Sequence, residues 1–417
     1  MTAEYPTEGN SPEPLKVSGF ARFWTAATVS SFGISIAAIA VDVLVVQVLH
    51  ASEAEVGIVR AVQFLPYLLV GLLAGALVDR WPRRRTLVAT HLGSGLTLLL
   101  IPLLWITGYL SLPAVAAALF AVGVFGVFSA AVEQSYIPDL VPRGSWITAN
   151  ARVGQSATVA QTSGPALGGA LVGVVTAPIT LVVTAVTHLI AAGTVATIRV
   201  PEQRAEEPAK PQILTSIAEG LRFIYRHRTL APLAVATHVW FIANSAAITV
   251  FALFALRGLG ISPLLYGIVL ACAGLGGLAG AFCAPWLARK VGEGWAILIS
   301  NMISPLAWAG IMLIPHSEPW AVVCLALAKT LYGFGLGLGD PSELGYRQAV
   351  TAREMLGRVN ATMRSANRTM AVVGALAGGV LAGAIGYRET IGAAIVVFII
   401  SVVIIAASPL RGARSLR

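Results

Sequence analysis

The stretch "GALVDRWPRRRTL", residues 75–87, packs five charged residues and a proline into thirteen positions, with almost wholly apolar sequence on either side. The 417-residue chain as a whole is 57% hydrophobic and only 11% charged, where a soluble domain carries roughly 25% charged residues. So few charges cannot coat a water-facing surface, and the bilayer is the natural solvent for the flanking stretches. The charged stretch then reads as a loop between two membrane-crossing helices.

Working outward, apolar windows long enough to cross a bilayer recur along the chain. They are placed near 20–48, 55–78, 86–107, 112–137, 147–173 and 177–198, then 230–256, 263–287, 294–313, 319–345, 357–383 and 388–408. The expectation is an all-α membrane protein of twelve transmembrane helices in two pseudo-symmetric six-helix halves, 20–198 and 230–408. Residues 1–19 read as a disordered polar tail and 409–417 as a basic tail. The segment 199–229 divides the halves as a linker followed by a surface helix, with Ile213, Ile217, Leu221 and Ile224 on one face.

Charge placement gives the direction. Lys16, Arg22, Arg80, Arg83, Arg84, Arg85, Arg143, Arg289, Lys290, Arg347, Arg353 and Arg358 all fall on one side, and the opposite loops offer only Arg257 and Arg388. Positive loops mark the cytoplasmic side. Both termini are therefore expected inside, in a multi-pass protein of the cytoplasmic membrane. The same asymmetry accounts for the net charge of +9 without nucleic acid as a partner. Cys272, Cys283 and Cys324 lack metal-ligand spacing and read as small core residues.

The halves align without a gap at an offset of 210 residues. Glu133 falls on Glu343, Tyr136 on Tyr346, Arg143 on Arg353, and "GPALGGALVG" at 164–173 on "GALAGGVLAG" at 374–383. Two parallel repeats of this kind place a binding site between them near mid-membrane, reached alternately from each side by rocking.

"GALVDRWPRRR" resembles the cytoplasmic loop signature of the major facilitator superfamily, through Gly75, Asp79, Arg80, Arg83 and Arg84. The surroundings, "VQFLPYLLVGLLAGALVDR" and "YRQAVTAREMLGRVNATMR", are similar to its drug- and siderophore-exporting branch, which includes enterobactin and macrolide exporters. The resemblance covers residues 20 to 408. It implies that this loop latches the cytoplasmic ends of the halves together in the outward-facing state. Asp79 would accept from amides at the start of a helix in the second half, and the arginines would bridge carboxylates such as Glu133. Glu343, Arg143 and Arg353 join the same expected latch, with proton carriage as the alternative for Glu133 and Glu343, and Arg364 and Arg368 are assigned to the latch before the substrate. The plainer alternative is that the loop only anchors topology. In the second half the signature has decayed, with Pro285, Arg289 and Lys290 at the places of Gly75, Asp79 and Arg80.

A second resemblance, to the superfamily's antiporter signature, rests on Gly154, Gly164, Pro165, Gly168 and Gly169. It implies export, against a small-residue packing face as the alternative. The arginine that many proton-driven antiporters of the family carry in span 4 is absent from "AVGVFGVFSAAVEQS".

Ionisable residues inside spans are costly and are candidates for function. Asp42 lies about 9 Å and Arg60 about 7.5 Å from the outer ends of their helices. They are expected to pair, with protonation of Asp42 releasing the pair; the alternatives are a permanent ion pair or an Arg60 that snorkels outward. His238 is a further proton-coupling candidate, with His188 behind it. Asn244 and Asp340 are candidates for the cavity wall. The sequence "GDPSE" is expected to break or kink span 10, and Lys329 to pair with an unidentified acid.

No phosphate-binding loop, metal-ligand cluster or nucleophile with a matching base is present, so no cofactor, metal or enzymatic activity is expected. The expected function is proton-coupled export of an amphipathic small molecule such as a drug, antibiotic or siderophore, by a monomer. A wall of Val, Leu, Ala and Phe suits such a solute. Two rivals stand beside it: a lipid or lysolipid translocator, and a non-transporting receptor or assembly factor on the same fold.

Overall fold

The computed structural model describes residues 13–78, 80–202, 213–315 and 320–413. The described residues form twelve long α-helices and one short one. The first half holds α1 (Ser18–Val43), α2 (Glu53–Val78), α3 (Arg83–Ile106), α4 (Leu112–Leu140), α5 (Trp146–Val175) and α6 (Ala177–Ala196). The short α7 (Ile213–Arg226) follows. The second half holds α8 (Leu230–Leu253), α9 (Pro263–Val291), α10 (Glu293–Met312), α11 (Ala321–Val350), α12 (Leu356–Ile385) and α13 (Tyr387–Ala406). Eleven of the long helices are apolar enough to cross a membrane on composition alone. The exception, α5, carries Asn150, Arg152, Gln155 and Gln161.

The repeat extends to fine detail. α5 and α12, and α6 and α13, begin and end 210 residues apart. So do the π-helical turns Leu44–Val48 and Phe254–Gly258, which widen the ends of α1 and α8, and the 3-10 turns Arg143–Ser145 and Arg353–Met355. The corner between α5 and α6 has Thr176 at φ 83° and ψ 160°, where the second half has Gly386 at φ 97°. That region of backbone space is nearly closed to a β-branched residue, so the first half carries strain that its copy avoids.

An even number of helices leaves both described termini on one face of the bundle, here the terminal face. The distal face carries the turns between α1 and α2 and between α8 and α9. The halves meet where α2 packs on α12 and α5 on α9. Small residues allow both crossings. A methyl group at Gly169 would come within 2.4 Å of the Pro263 carbonyl oxygen, and one at Gly57 within 2.7 Å of that of Ala375.

Three expectations need correcting. The helix α11 runs unbroken through Pro341, so "GDPSE" does not end it. Cys283 and Cys324 are exposed on the outside of the bundle and Cys272 is half-buried, so none is a core residue; a bilayer makes an outward thiol no costlier than an inward one. Several helices also outrun their apolar windows, α4 reaching Leu140 and α11 Val350, because the helix continues past the hydrocarbon into polar sequence.

Candidate functional site

Asp42, Arg60 and Lys329 lie toward the distal end, where the halves touch. Arg60 Nη2 donates to Asp42 Oδ1 at 2.5 Å, with side-chain exposures of 14% and 11%. The other carboxylate oxygen accepts from the Tyr266 hydroxyl of α9 at 2.8 Å. One carboxylate thus binds a cation in its own half and a phenol in the other. A second tie lies nearer the surface. Glu53 accepts from Tyr387 at 2.8 Å and from Arg257 at 3.3 Å, and Arg257 also donates to the carbonyls of Val46 and Ala51. Sequence reasoning passed over Tyr266, Tyr387 and Glu53, since none of them is unusual in its own segment.

Among the described residues, Lys329 has no acid within salt-bridge distance. Its ammonium lies 3.9 Å from the ring centroid of Phe251, 4.4 Å from Trp308 and 5.2 Å from Tyr332, and the residue is 2% exposed. Three ring faces on a desolvated cation contribute about 2 kcal/mol or more each, against a desolvation cost of several kcal/mol. The cage replaces the carboxylate partner expected for this lysine.

From the cage the site opens toward the terminal face. A cavity of about 310 Å³ lies between α8, α10 and α11, walled by Trp240, Phe241, Asn244, Asn301, Tyr332, Asp340 and Glu343 among others. Its polar groups correct the expectation of a wall mostly of Val, Leu, Ala and Phe. Tyr332 donates its hydroxyl to Asn244, so the cage and the cavity share a residue. Glu343 is engaged by Arg347 at 3.4 Å and by the Thr237 hydroxyl. A second cavity of about 360 Å³ lies between the halves, among Tyr67, Gln134, Asn360, Arg364 and their neighbours on α2, α4 and α12. Beside it Arg368 stands over the rings of Phe64 and Tyr67 in the other half.

His238 does not line the first cavity. Its Nδ1 lies 2.7 Å from Asn367 Oδ1 and its Nε2 2.7 Å from the Tyr225 hydroxyl. A neutral ring with the proton on Nδ1 satisfies both, donating to Asn367 and accepting from Tyr225. It ties α7 and α12 to α8. His188 is buried against His91, ring nitrogen to ring nitrogen at 3.2 Å.

The basic loop is laced into its own half. Arg83 pairs with Asp139 at 2.5 Å, and Arg84 donates to the Ala196 carbonyl. Glu202 accepts from the backbone amides of Arg83 and Arg84 at 2.7 and 2.9 Å, so a carboxylate caps the exposed start of α3. Arg80 is exposed. Glu133 accepts from Ser129 and not from these arginines, a correction to the expected bridge. The loop's cations have nearer acceptors at the ends of α4 and α6. Gly75 lies within α2, whereas Asp79 lies outside the described residues. Arg143 stacks over Trp146, and Arg353 opens the equivalent turn of the second half.

The glycines of the antiporter-like stretch lie on packing surfaces. Methyl groups at Gly164 and Gly168 would clash with Ser35 and Ile36 of α1, and one at Gly169 with α9; Gly154 faces open space. The copies Gly374, Gly378 and Gly379 make the same approaches to Ile242, Ala246 and Glu53.

Twelve long helices in two repeats, tied together at one end and hollow toward the other, have the architecture of a membrane transporter. The chain belongs to the Major Facilitator Superfamily, whose family model matches residues 23–367 and 245–414. It is 25% identical over 352 residues to the multidrug efflux pump Tap of Mycolicibacterium fortuitum, covering 82% of this chain and 84% of that one. It is 27% identical over 361 residues to the pump of the same name in Mycobacterium tuberculosis strain H37Rv, covering 82% of each chain. Among solved structures it superposes on a point mutant of the nucleoside transporter NupG, with a TM-score of 0.79 at 11% identity over 93% of this chain and 99% of that one. An inward-facing bacterial homologue of the lysosomal transporter Spinster gives 0.71 at 16% identity, over 95% and 97%.

Proposed function

We propose that this chain exports amphipathic small molecules in exchange for protons, by alternating access, from the cytoplasmic membrane with both termini inside. The observation that carries the reading is the double engagement of Asp42, by Arg60 at 2.5 Å and by Tyr266 at 2.8 Å. Both bonds are strongest to an ionised carboxylate. A proton arriving from outside removes the charge that holds Arg60 and weakens the acceptor that holds Tyr266, so the distal closure loosens. Export is supported by relatives that carry the name multidrug efflux pump over more than four-fifths of their length. The cavity beside Trp240 and Phe241, with the exposed carboxylate of Asp340 at its terminal end, suits a solute with an apolar body and a basic group.

The experiment is efflux of a panel of amphipathic dyes and antibiotics from cells stripped of their own pumps. The expected result is efflux that stops when a protonophore collapses the gradient. Efflux indifferent to the protonophore would sink the proton coupling. No efflux of any compound would favour the lipid-translocating or receptor readings.

A further inference from the structure

Lys329 stands between the distal closure and the cavity, and the export reading leaves it unused. Its ring cage connects in both directions. Phe251 stacks on Tyr266 with centroids 5.9 Å apart, and Tyr266 holds Asp42. Trp308 meets Tyr332 edge-on at 5.7 Å, and Tyr332 holds Asn244 in the cavity wall. Among the described residues no carboxylate lies within salt-bridge distance of the ammonium, so ring faces stand where an acid would.

The elements packed around Lys329 supply few other groups that can titrate. Phe251 comes from α8, Tyr266 from α9, Trp308 from α10 and Tyr332 from α11 itself. Beyond Phe251, Tyr266 bonds Asp42 of α1, which holds Arg60 of α2. Arginine keeps its proton in proteins. Among the described residues of this network, Asp42 and Lys329 are the carboxylate and the amine that can release and take up a proton, linked through Phe251 and Tyr266, and they belong to different halves.

We propose that Lys329 and Asp42 together form the proton-binding site of this carrier, an amine and a carboxylate coupled across the interface between the halves. The Lys329 ammonium gives one proton to cavity water and is left as the amine, and the reverse step restores it; no bond but N–H breaks. Because the partners sit in opposite halves, separating the halves changes the field each feels and so changes the affinity for that proton. Arg60 moves with Asp42 as a unit, so it is Tyr266 and Lys329 of the other half that make the carboxylate sensitive to the separation. The inference rests on the proton-coupled reading above.

The Trp308 indole, 4.4 Å from the Lys329 nitrogen, reports the state of the amine. Tryptophan fluorescence of the purified full-length protein, titrated from about pH 5 to about pH 10, would be recorded for wild type, Lys329→Met, Lys329→Arg and Asp42→Asn. Thermal melting would establish that each variant is folded. Met keeps the volume without the charge, and Arg keeps a permanent cation. The expected result is a wild-type transition that is absent from both Lys329 variants and displaced in Asp42→Asn by about one pH unit or more, a tenfold change in proton affinity. A transition kept in either Lys329 variant, an unmoved midpoint in Asp42→Asn, or no wild-type transition would each overturn the proposal. If this signature is found in a protein that exports nothing, the export reading fails and the coupled pair stands.

Discussion

Tyr266 of α9 donates a 2.8 Å hydrogen bond to Asp42 of α1, so the carboxylate that holds Arg60 within the first half also holds the second half in place. A bond to a charged acceptor contributes about 2 kcal/mol, roughly a thirtyfold change in an equilibrium. Replacing Tyr266 with Phe removes the donor and leaves the ring stacked on Phe251. Hydrogen–deuterium exchange in the turn between α1 and α2 is then expected to rise by about that factor. Unchanged exchange would mean that the closure does not depend on this bond.

The crossing of α5 and α9 sets how near the halves come. A methyl group at Gly169 would sit 2.4 Å from the Pro263 carbonyl oxygen. In Gly169→Ala the distal ends are expected to part. Spin labels at positions 50 and 259, in a background without Cys272, Cys283 and Cys324, should report a longer distance than in the parent. The same change at Gly154, where nothing lies within 4 Å, is expected to leave that distance alone.

The strained corner at Thr176 gives a stability prediction of opposite sign. Strain of this kind costs about 1–3 kcal/mol. Thr176→Gly, which copies the residue at Gly386, is expected to stabilise the protein by about 1 kcal/mol after the added freedom of the unfolded chain is deducted. A melting temperature below that of the parent would show that the threonine is held without strain.

Within the basic loop the arginines should separate in their effect. Asp139, with a side chain only 4% exposed, would lose its partner in Arg83→Gln. Leaving a buried carboxylate unpaired costs about 3 kcal/mol. The exposed Arg80, changed to Gln, should alter stability by less than about 0.5 kcal/mol. Equal melting temperatures for the two variants would contradict the pairing.

Much of this was legible in the sequence because membrane helices announce themselves by length and apolarity, and because the chain carries its own second copy. The matches of Glu133 with Glu343 and Arg143 with Arg353 find the repeat, and both pairs sit near the terminal ends of equivalent helices. The residues that break the repeat are as informative. Asp42, Arg60 and Lys329 align with Ala252, Leu270 and Leu119; the first two of these unmatched charges pair, and Phe251 and Tyr266 link the third to them. Tyr266 could not be found that way, since a tyrosine in an apolar helix signals nothing until its partner across the interface is known. The Lys329 cage was hidden for the same reason: its rings come from three helices, and the sequence offered only an expectation of an acid. The destination of the basic loop was missed because its acceptors, Asp139, Glu202 and the Ala196 carbonyl, lie at ends of elements where polar residues are ordinary.

The central claim, that protons drive export through Asp42, is tested most directly in proteoliposomes holding the purified protein and a pH-sensitive dye. A compound exported by the wild type in cells is added under a standing proton gradient. The account predicts proton movement coupled to uptake of the compound by the wild type, and its loss in Asp42→Asn while the compound still binds. Full proton-coupled uptake by Asp42→Asn would contradict it.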